Sequence, residues 1–417
     1  MNDVDVTIQI FKKLLPQIKL RHTIGNEYGR DMRSLSDAQI AEACIRGKLS
    51  EAGVNVIKRD GDIKPFKYKT PDFIQFETDE LKRVLSAVNA VEFNVKDTGH
   101  VRLPDELNKA IEFKGATYKL GIGGLHSQEK KQAIKRVHQL GEYDVASMYP
   151  TIILNQGLYP EHLGEGFIPV YRDIYETRLN AKAQGDKVVS DTLKIVLNSS
   201  YGKFGSKYSF LYSPELLVQT TITGQLALLM LIEQLPKTVS ANTDGAVSVH
   251  NEEPECVRWW QEQTGMVLEW TPYEAIYSRD VNNYIAISEK GVKSKGVYEY
   301  GSIRKGYANE ICIDAIINHL TGVKSIADTV NECNDIRRFL TMRGVRGGAT
   351  WRGGMLGKVV RWYRSTGGQP IKYLSNGNKV AGSDNAKPVM GLFDMPDDID
   401  LNWYVERSKK MLTELGV

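Results

Sequence analysis

Two aspartates stand 100 residues apart, each in a setting that suits metal binding. Asp144 ends the apolar segment E-Y-D-V, and Asp244 lies at the tip of N-T-D-G. Carboxylates at neighbouring strand ends suit Mg²⁺, which takes oxygen ligands and keeps water and substrate phosphates as the remainder. Two such ions about 3.5–4 Å apart can clamp the attacking and leaving oxygens of a phosphoryl transfer. The alternative for either aspartate alone is a capping or turn residue.

Cations lie between these aspartates on two predicted helices, residues 170–184 and 188–204. The spacing places the polar residues on one face of each helix: Arg178 and Lys182 on the first, and Lys194, Asn198 and Tyr201 on the second. A solvated helix charge is the alternative for each cation alone. Three cations that face a gap beside two metal-binding carboxylates predict a binding pocket for a triphosphate.

The elements that must position these residues form a mixed α+β fold. Helical patterns are present at Asp37–Arg46, Thr78–Asn89 and 216–234, and extended segments around Phe93–Val101 and before Asp144. The segment Val239–His250 alternates about N-T-D-G, which predicts a β-hairpin with a tight turn. Beyond about residue 305 we expect helices followed by a basic, loop-rich region.

The composition excludes several classes of protein. Of the 417 residues, 41% are hydrophobic and 25% charged, which argues against a disordered, collagen-like or disulfide-stapled chain. Four cysteines without C-x-x-C spacing predict neither a zinc site nor a disulfide framework. No signal peptide is recognisable, and Leu216–Ile232 contains polar residues and glycine, so it predicts a buried helix and not a membrane span. We expect a soluble, cytoplasmic protein, located in the host cytoplasm if it is viral.

The net charge of +3 conceals a strongly basic segment. Residues 336–383 contain ten Lys and Arg and no Asp or Glu, which leaves −7 for the rest of the chain. The segment is glycine-rich and includes Trp351, Trp362 and Tyr363. Arginines interleaved with aromatic residues are typical of a surface that binds a phosphate backbone. A solvated basic face is the alternative.

Three segments resemble the polymerase motifs of family B DNA polymerases, in the family's order. D-V-A-S-M-Y-P-T-I-I, from Asp144, is similar to D-x-x-S-L-Y-P-S-I-I. L-K-I-V-L-N-S-S-Y-G, residues 193–202, is similar to K-x-x-x-N-S-x-Y-G, and A-N-T-D-G is similar to x-D-T-D-S. The resemblance covers the chain from about residue 65 to its C-terminus and is strongest for polymerases encoded by bacteriophages.

The resemblance implies which residues bind the metal and select the sugar. Asp144, Asp244 and the backbone carbonyl of Val145 would bind two Mg²⁺ ions, for which Mn²⁺ can substitute. Tyr149 would be the steric gate, because its flat ring leaves no room for a ribose 2′-hydroxyl.

The resemblance also implies a binding set for the dNTP. Three cations would neutralise the charge that shifts towards the β- and γ-phosphates as the bond breaks: Arg178, Lys182 and Lys194. Lys194 would be a catalytic residue, together with Asp144 and Asp244. Asn198 and Tyr201 would line the nascent base-pair pocket, with Tyr201 near the sugar or the minor groove.

Two further elements and the basic segment would hold primer–template DNA. K-S-K-G-V-Y resembles the K-x-Y element that holds the primer strand, on a β-hairpin where residues 293 and 295 share a face. Y-K-L-G-I-G-G resembles the glycine loop that lets the template backbone approach closely. The expected DNA contacts are Lys293, Lys295 and Tyr298, then Gly123 and Gly124, and in the basic segment Arg343, Arg346, Lys358, Arg361 and Arg364.

The implied architecture is that of a right-hand polymerase in the α+β class. It would have an N-terminal region at 1–104, a palm at 105–171 and 207–304, two-helix fingers at 172–206 and a small thumb at 305–417. The intervals from Asp144 to Lys194 and from Lys194 to Asp244 are each 50 residues. Because this leaves no room for the insertions of protein-primed members, we expect priming from a nucleic-acid 3′-end.

The chain is expected to lack a proofreading exonuclease, since only 143 residues precede Asp144 and they lack the carboxylate motifs of such a domain. The sequence leaves open an enzyme without an exonuclease or the C-terminal half of a split polymerase. A separate exonuclease subunit or a processivity factor would then be a further partner, in phage DNA replication. Two other functions remain open: an RNA-making palm primase, and a weakly active or inactive DNA-binding subunit.

The third motif departs from the family because Asn242 replaces its first aspartate. Asparagine keeps a carbonyl oxygen but removes one negative charge. Since the family's first aspartate is the less direct ligand, we predict that Asp244→Ala abolishes nucleotide incorporation, whereas Asn242→Ala leaves it measurable. Primer extension with each variant tests this, and an equal loss in both would contradict the assignment.

Overall fold

A computed structural model of the chain describes residues 3–128, 131–135, 139–251, 254–302, 306–391 and 395–417. The chain divides into two compact units. Unit 1 comprises Met1–Gln128 and Glu142–Thr271, and unit 2 comprises Glu129–Gly141 and Pro272–Val417. The finer boundaries of palm, fingers and thumb stay a prediction.

Eleven α-helices lie in the described residues. They are α1 Asp3–Glu27, α2 Asp37–Glu51, α3 Asp79–Ala90, α4 Met148–Asn155, α5 Phe167–Ala183, α6 Lys187–Lys203, α7 Pro214–Gln234, α8 Glu255–Thr264, α9 Glu310–Leu320, α10 Ile326–Asn331 and α11 Leu401–Glu414. Short 3₁₀ turns are present at Glu161–Leu163, Gly296–Tyr298 and Ile336–Phe339. The helices predicted near residues 37, 78 and 216 are confirmed.

Seventeen β-strands lie in the same residues. They are β1 Asn94–Val95, β2 Val101–Arg102, β3 Ile111–Phe113, β4 Ala116–Lys119, β5 Leu125–Gln128, β6 Gln132–Lys135, β7 Gln139–Val145, β8 Thr238–Thr243, β9 Gly245–His250, β10 Leu268–Pro272, β11 Ala275–Asp280, β12 Asn283–Ser288, β13 Gly291–Ser294, β14 Thr341–Trp351, β15 Gly354–Arg364, β16 Lys372–Tyr373 and β17 Ala386–Pro388.

The largest sheet has seven strands in the order β10-β7-β9-β8-β5-β4-β3 and belongs almost entirely to unit 1. Strands β8 and β9 form the predicted hairpin, with Asn242 paired to Gly245 across a two-residue turn. The turn requires a left-handed residue, and Thr243 supplies it with φ 57°. The order of strands puts β9, which begins beside Asp244, next to β7, which carries Asp144.

Helix α7 is the core helix of unit 1. Among the described residues it is the one helix long and apolar enough to cross a membrane, but 89% of its most apolar 18-residue stretch is buried inside the protein. It packs with the strands and with α3 in a core that includes Trp260, whose indole N–H donates to the Ala227 carbonyl at 2.7 Å. This burial confirms the prediction of a core helix.

Helices α5 and α6 form a second core of unit 1 with α2 and the end of α4. Gly185 separates α5 from α6 in the left-handed conformation (φ 76°), which glycine adopts without strain. Asp186 then caps α6, because its carboxylate accepts a hydrogen bond from the Val189 N–H at 3.1 Å. The predicted helix pair is therefore confirmed, and the pair is antiparallel because its connection is this short.

Unit 2 contains two four-stranded sheets, β13-β12-β11-β6 and β16-β14-β15-β17. Its main core joins α9, α10 and α11 to β11 and β12. Tyr404 ties this core together, since its hydroxyl donates to the Phe339 carbonyl at 2.8 Å and accepts from the Arg364 N–H at 2.8 Å.

Residues 341–364 of the basic segment form a long β-hairpin, which the expectation of a loop-rich region did not include, whereas residues 365–383 are mainly loop as expected. Strands β14 and β15 have eleven residues each and pair antiparallel, with register shifts between Gly344 and Thr350. Three glycines near these shifts have positive φ: Gly347, Gly348 and Gly357. Glycine has no side chain to contribute to an alternating pattern, so the strand periodicity is invisible in the sequence.

Candidate functional site

Asp144 and Asp244 lie side by side at the end of the seven-stranded sheet. The N–H of Val145 donates to the carbonyl oxygen of Asp244 at 2.8 Å. A β-carbon added at Gly245 would lie 2.6 Å from Oδ1 of Asp144, closer than real contacts allow. The side chain of Asp144 therefore lies against the backbone of Gly245, beside Asp244, and a larger residue at 245 would require the carboxylate of Asp144 to shift.

The glycine loop, Gly121–Gly124, supports the turn that carries Asp244. Gly124 has φ 145°, and a β-carbon there would meet Thr243 at 3.0 Å. The side chain of Asn242 contacts the same threonine, since its Oδ1 accepts a hydrogen bond from the Thr243 hydroxyl at 3.1 Å. Packing against Thr243 thus accounts for Gly124 in this structure, and a contact with template DNA stays a prediction for it and for Gly123.

The two aspartates open on a cleft of about 830 Å³ within unit 1. Strand β7, the start of α4, the turn of the β8–β9 hairpin, and helices α5 and α6 contribute its walls. Each residue predicted for metal or nucleotide binding lines it: Asp144, Val145, Tyr149, Arg178, Lys182, Lys194, Asn198, Tyr201 and Asp244. Asn242 is outside this lining.

The three predicted phosphate-binding cations have different environments. Arg178 is half-buried and donates from Nη1 to the Ser147 hydroxyl at 2.5 Å, while its Nε is buried without a hydrogen-bond partner among the described residues. Lys182 forms an ion pair with Glu269, with Nζ and Oε1 2.8 Å apart and both side chains about half exposed. Lys194 is exposed and has no ion pair with any described residue.

Tyr149 and Tyr201 stack in the cleft with ring centroids 4.0 Å apart and planes 12° from parallel. The Tyr149 hydroxyl donates to the Gly123 carbonyl at 3.1 Å. Burial raises the pKa of Tyr201 to about 12, and burial together with Tyr201 and Asp244 raises the pKa of Tyr149 further. Both hydroxyls are therefore protonated donors at neutral pH, and the stack forms a flat wall beside the carboxylates.

A metal ion at this site would depend on few protein ligands. Within the described residues, no cluster of three or more His, Cys, Asp or Glu side chains is arranged to hold a metal. Two adjacent carboxylates and backbone carbonyls are nevertheless oxygen donors of the kind that Mg²⁺ accepts when substrate phosphates and water complete the shell. The donor set therefore fits Mg²⁺, and the buried, unpartnered Nε of Arg178 marks a nearby position for an anion.

The K-x-Y residues lie in unit 2 and differ in exposure. Lys293 is on β13 and donates to the Tyr273 hydroxyl at 3.3 Å, and the exposed Lys295 follows the strand in extended conformation. Strands β12 and β13 are the predicted hairpin. Tyr298 is fully buried in the core of unit 2, and its hydroxyl donates to the Met411 carbonyl at 3.3 Å. This burial argues against direct contact between Tyr298 and DNA.

The ten cations of the basic segment, residues 336–383, differ in whether a neighbouring acid neutralises them. At least three of the ten are neutralised by acids outside the segment: Arg337 by Asp335, Arg338 by Glu310 and Asp314, and Lys379 by Asp384. The predicted contacts Arg343, Arg346, Lys358 and Arg361 are exposed, and none forms an ion pair with a described residue. Arg364 differs, because its guanidinium is stacked 4.5 Å from the Trp403 ring centroid and its Nε is buried. A structural role therefore explains Arg364.

Sequence reasoning missed four residues that shape the cleft or support it: Ser147, Thr221, Gln225 and Glu269. Ser147 lies inside the first motif, and its left-handed conformation is invisible in sequence. Thr221 and Gln225 lie in an apolar helix, where polar residues buried at helical spacing were the available signal. Nothing near Glu269 in the sequence connects it to Lys182, which is 87 residues away.

Comparison with known proteins connects this geometry to one family. No protein-family model matches the chain. DNA polymerase II of Escherichia coli is 31% identical over 105 residues, which cover 19% of this chain and 13% of that protein. The family B DNA polymerase of the archaeon Pyrobaculum calidifontis superposes with a TM-score of 0.54 at 15% identity, over 99% of this chain and 55% of that chain.

The chain thus spans about half of the archaeal enzyme and a small part of the bacterial one. The structural likeness establishes a fold and not an activity, since the sequences share 15% identity. The mixed helix and sheet structure resembles a family B DNA polymerase fold, and the local sequence identity supports that family for this chain.

Proposed function

We propose that the protein is a template-directed DNA polymerase that adds dNTPs to a primer 3′-hydroxyl, in phage DNA replication. The observation that carries the proposal is the cleft of unit 1. Two adjacent carboxylates, three cations from α5 and α6, and a tyrosine stack line a single space of about 830 Å³. The carboxylates and the cations are the kinds of group that a phosphoryl transfer from a nucleoside triphosphate requires.

Divalent metal ions would supply the clamp on the attacking and leaving oxygens, with Mg²⁺ as the proposed ion. Asp144, Asp244 and the Val145 carbonyl would hold them. The side chains of the chain itself would bind and orient the nucleotide. Arg178 and Lys194 would hold the triphosphate, and the ring of Tyr149 would occupy the space that a 2′-hydroxyl needs.

Lys182 must exchange partners for a nucleotide to use it. In the structure its ammonium is bound to Glu269 at 2.8 Å. An exposed ion pair of this kind contributes about 0.2–1 kcal/mol, so a triphosphate can displace the carboxylate at small cost. Glu269 would then hold Lys182 at the rim of the cleft until substrate arrives.

The proposed polymerase activity is tested by primer extension with Mg²⁺ on the wild-type chain and on Asp144→Ala. We expect extension that depends on template and dNTP, and its loss in the variant, because one of two metal-binding carboxylates is removed. Extension with rNTPs at equal efficiency would favour an RNA-making primase. DNA binding without extension under Mg²⁺ or Mn²⁺ would favour a DNA-binding subunit.

Replacing Glu269 with glutamine should lower the KM for dNTP. Loss of the competing carboxylate frees Lys182, and an exposed pair worth about 0.2–1 kcal/mol corresponds to a roughly 1.4- to 5-fold change. The matched control is Glu176→Gln, which removes an exposed carboxylate from α5 outside the lining of the cleft. Steady-state kinetics with an unchanged KM, or with equal changes in both variants, would refute the exchange.

The double variant Arg343→Gln/Arg361→Gln should reduce the salt dependence of DNA binding. Each lost phosphate contact on duplex DNA lowers the slope of log affinity against log salt by about 0.9. The control is Arg337→Gln, which removes a cation that Asp335 already neutralises. Titration of primer–template at several salt concentrations measures the slope. A slope equal to that of the wild type would make the hairpin a solvated basic face.

A further inference from the structure

Helix α7 holds the glycine loop through one buried side chain. Gln225 is fully buried, and its amide makes a two-point contact with the backbone of Gly121. Its Oε1 accepts from the Gly121 N–H at 2.8 Å, and its Nε2 donates to the Gly121 carbonyl at 2.9 Å. The second Nε2 proton donates to the Thr221 carbonyl at 3.1 Å. Both protons of the amide and its oxygen are therefore engaged.

The loop that Gln225 holds is the loop that orients Tyr149. Two residues after Gly121, the carbonyl of Gly123 accepts the hydroxyl proton of Tyr149. A carbonyl can only accept, so this bond fixes the direction of the hydroxyl. The other end of the loop, Gly124, rests on Thr243 of the hairpin turn. The position of the Gly123 carbonyl is thus set from both sides, by Gln225 and by the turn that carries Asp244.

The same face of α7 supports the rest of the tyrosine stack. Thr221 lies four residues before Gln225, and its hydroxyl donates to the Leu217 carbonyl at 2.7 Å, so it must accept the proton of the Tyr201 hydroxyl. Between them is Gly224, where a β-carbon would lie 3.4 Å from the Tyr149 ring and 2.9 Å from Met148. Helix α7 therefore anchors Tyr201, leaves room for Tyr149 and holds its hydrogen-bond acceptor.

We infer that Gln225 is a positioning residue for sugar selection, acting on Tyr149 through the Gly121–Gly124 loop. The inference rests on the proposed polymerase function and names a residue outside the three sequence motifs. A steric gate discriminates only if its ring cannot tilt, since a 2′-hydroxyl differs from hydrogen by one atom. Without the Gln225 contacts, the loop is no longer held at Gly121, and the Gly123 carbonyl can move. The ring of Tyr149 can then tilt and leave room for the 2′-hydroxyl of a ribose.

The chain contains a matched control for this role. Gln219 is on the same helix and makes the same two-point contact with another backbone: Oε1 accepts from the Lys69 N–H at 3.0 Å, and Nε2 donates to the Lys69 carbonyl at 2.6 Å. Lys69 and Gln219 are outside the lining of the cleft. Substitution of either glutamine removes a two-point contact between α7 and the backbone of another segment, but only the change at 225 acts on the loop beside Tyr149.

The experiment compares Gln225→Leu with Gln219→Leu, with kcat and KM measured for a dNTP and the matching rNTP. We expect Gln225→Leu to reduce the preference for dNTP about tenfold, mainly through improved use of rNTP, and Gln219→Leu to change it less than about twofold. Gln225→Asn, which is too short to reach both Gly121 atoms, should show the same direction if Gln225→Leu folds poorly. Equal changes at 219 and 225 would reduce Gln225 to a general packing role.

A double-mutant cycle tests the route through the hydroxyl. In a Tyr149→Phe background the bond to Gly123 is already absent, so adding Gln225→Leu should change the dNTP preference less than about twofold. A full additional effect would overturn the proposed route. Absence of primer extension by the wild-type chain would refute the polymerase function itself, whereas normal extension with undiminished sugar discrimination in Gln225→Leu would refute this inference alone.

Discussion

The cleft depends on the close approach of two strands at one position. The carboxylate of Asp144 occupies the space where residue 245 would carry a side chain, and the hydrogen bond from the Val145 N–H to the Asp244 carbonyl holds the strand ends together at 2.8 Å. Every other part of the site is arranged around this pair. Helices α5 and α6 bring cations from one side, and the glycine loop supports the hairpin turn from the other. A β-carbon at 245 would require the carboxylate of Asp144 to move within the site.

Helix α7 stabilises unit 1 and also carries polar groups towards the cleft. Most of its residues are buried and apolar, as a core helix requires, but Thr221 and Gln225 interrupt that pattern with fully engaged hydrogen bonds. Buried polar groups are costly unless they are paired, and fully paired ones specify a single arrangement. The helix therefore fixes the geometry of the tyrosine stack with the same side chains that would otherwise weaken its packing.

The sequence alone predicted much of unit 1 and less of unit 2. The helix pair α5–α6 and the β8–β9 hairpin have clear periodicity and turn residues, and the resemblance to known motifs brought Asp144 and Asp244 to one site. Contacts between distant residues, such as Lys182 with Glu269, have no local signal. The β14–β15 hairpin was missed because glycines conceal its alternation. Tyr298 is buried and Arg364 stacks on Trp403 because both residues contact helix α11. The sequence around residue 295 or residue 364 gives no indication of these distant contacts.

The division of the chain has a consequence for the order in which its parts can form. Unit 1 is interrupted by residues 129–141, which belong to unit 2, and strand β6 within this interruption pairs with β11, with Ala133 opposite Tyr277. These partners are 144 residues apart in sequence. During synthesis on the ribosome, β6 therefore emerges long before β11. It cannot form its pairing with β11 until the second segment of unit 1, Glu142–Thr271, has been made. Because closing so long a loop carries an entropic cost, prior folding of unit 1, which brings the two ends of its second segment to fixed positions, would make that late pairing easier.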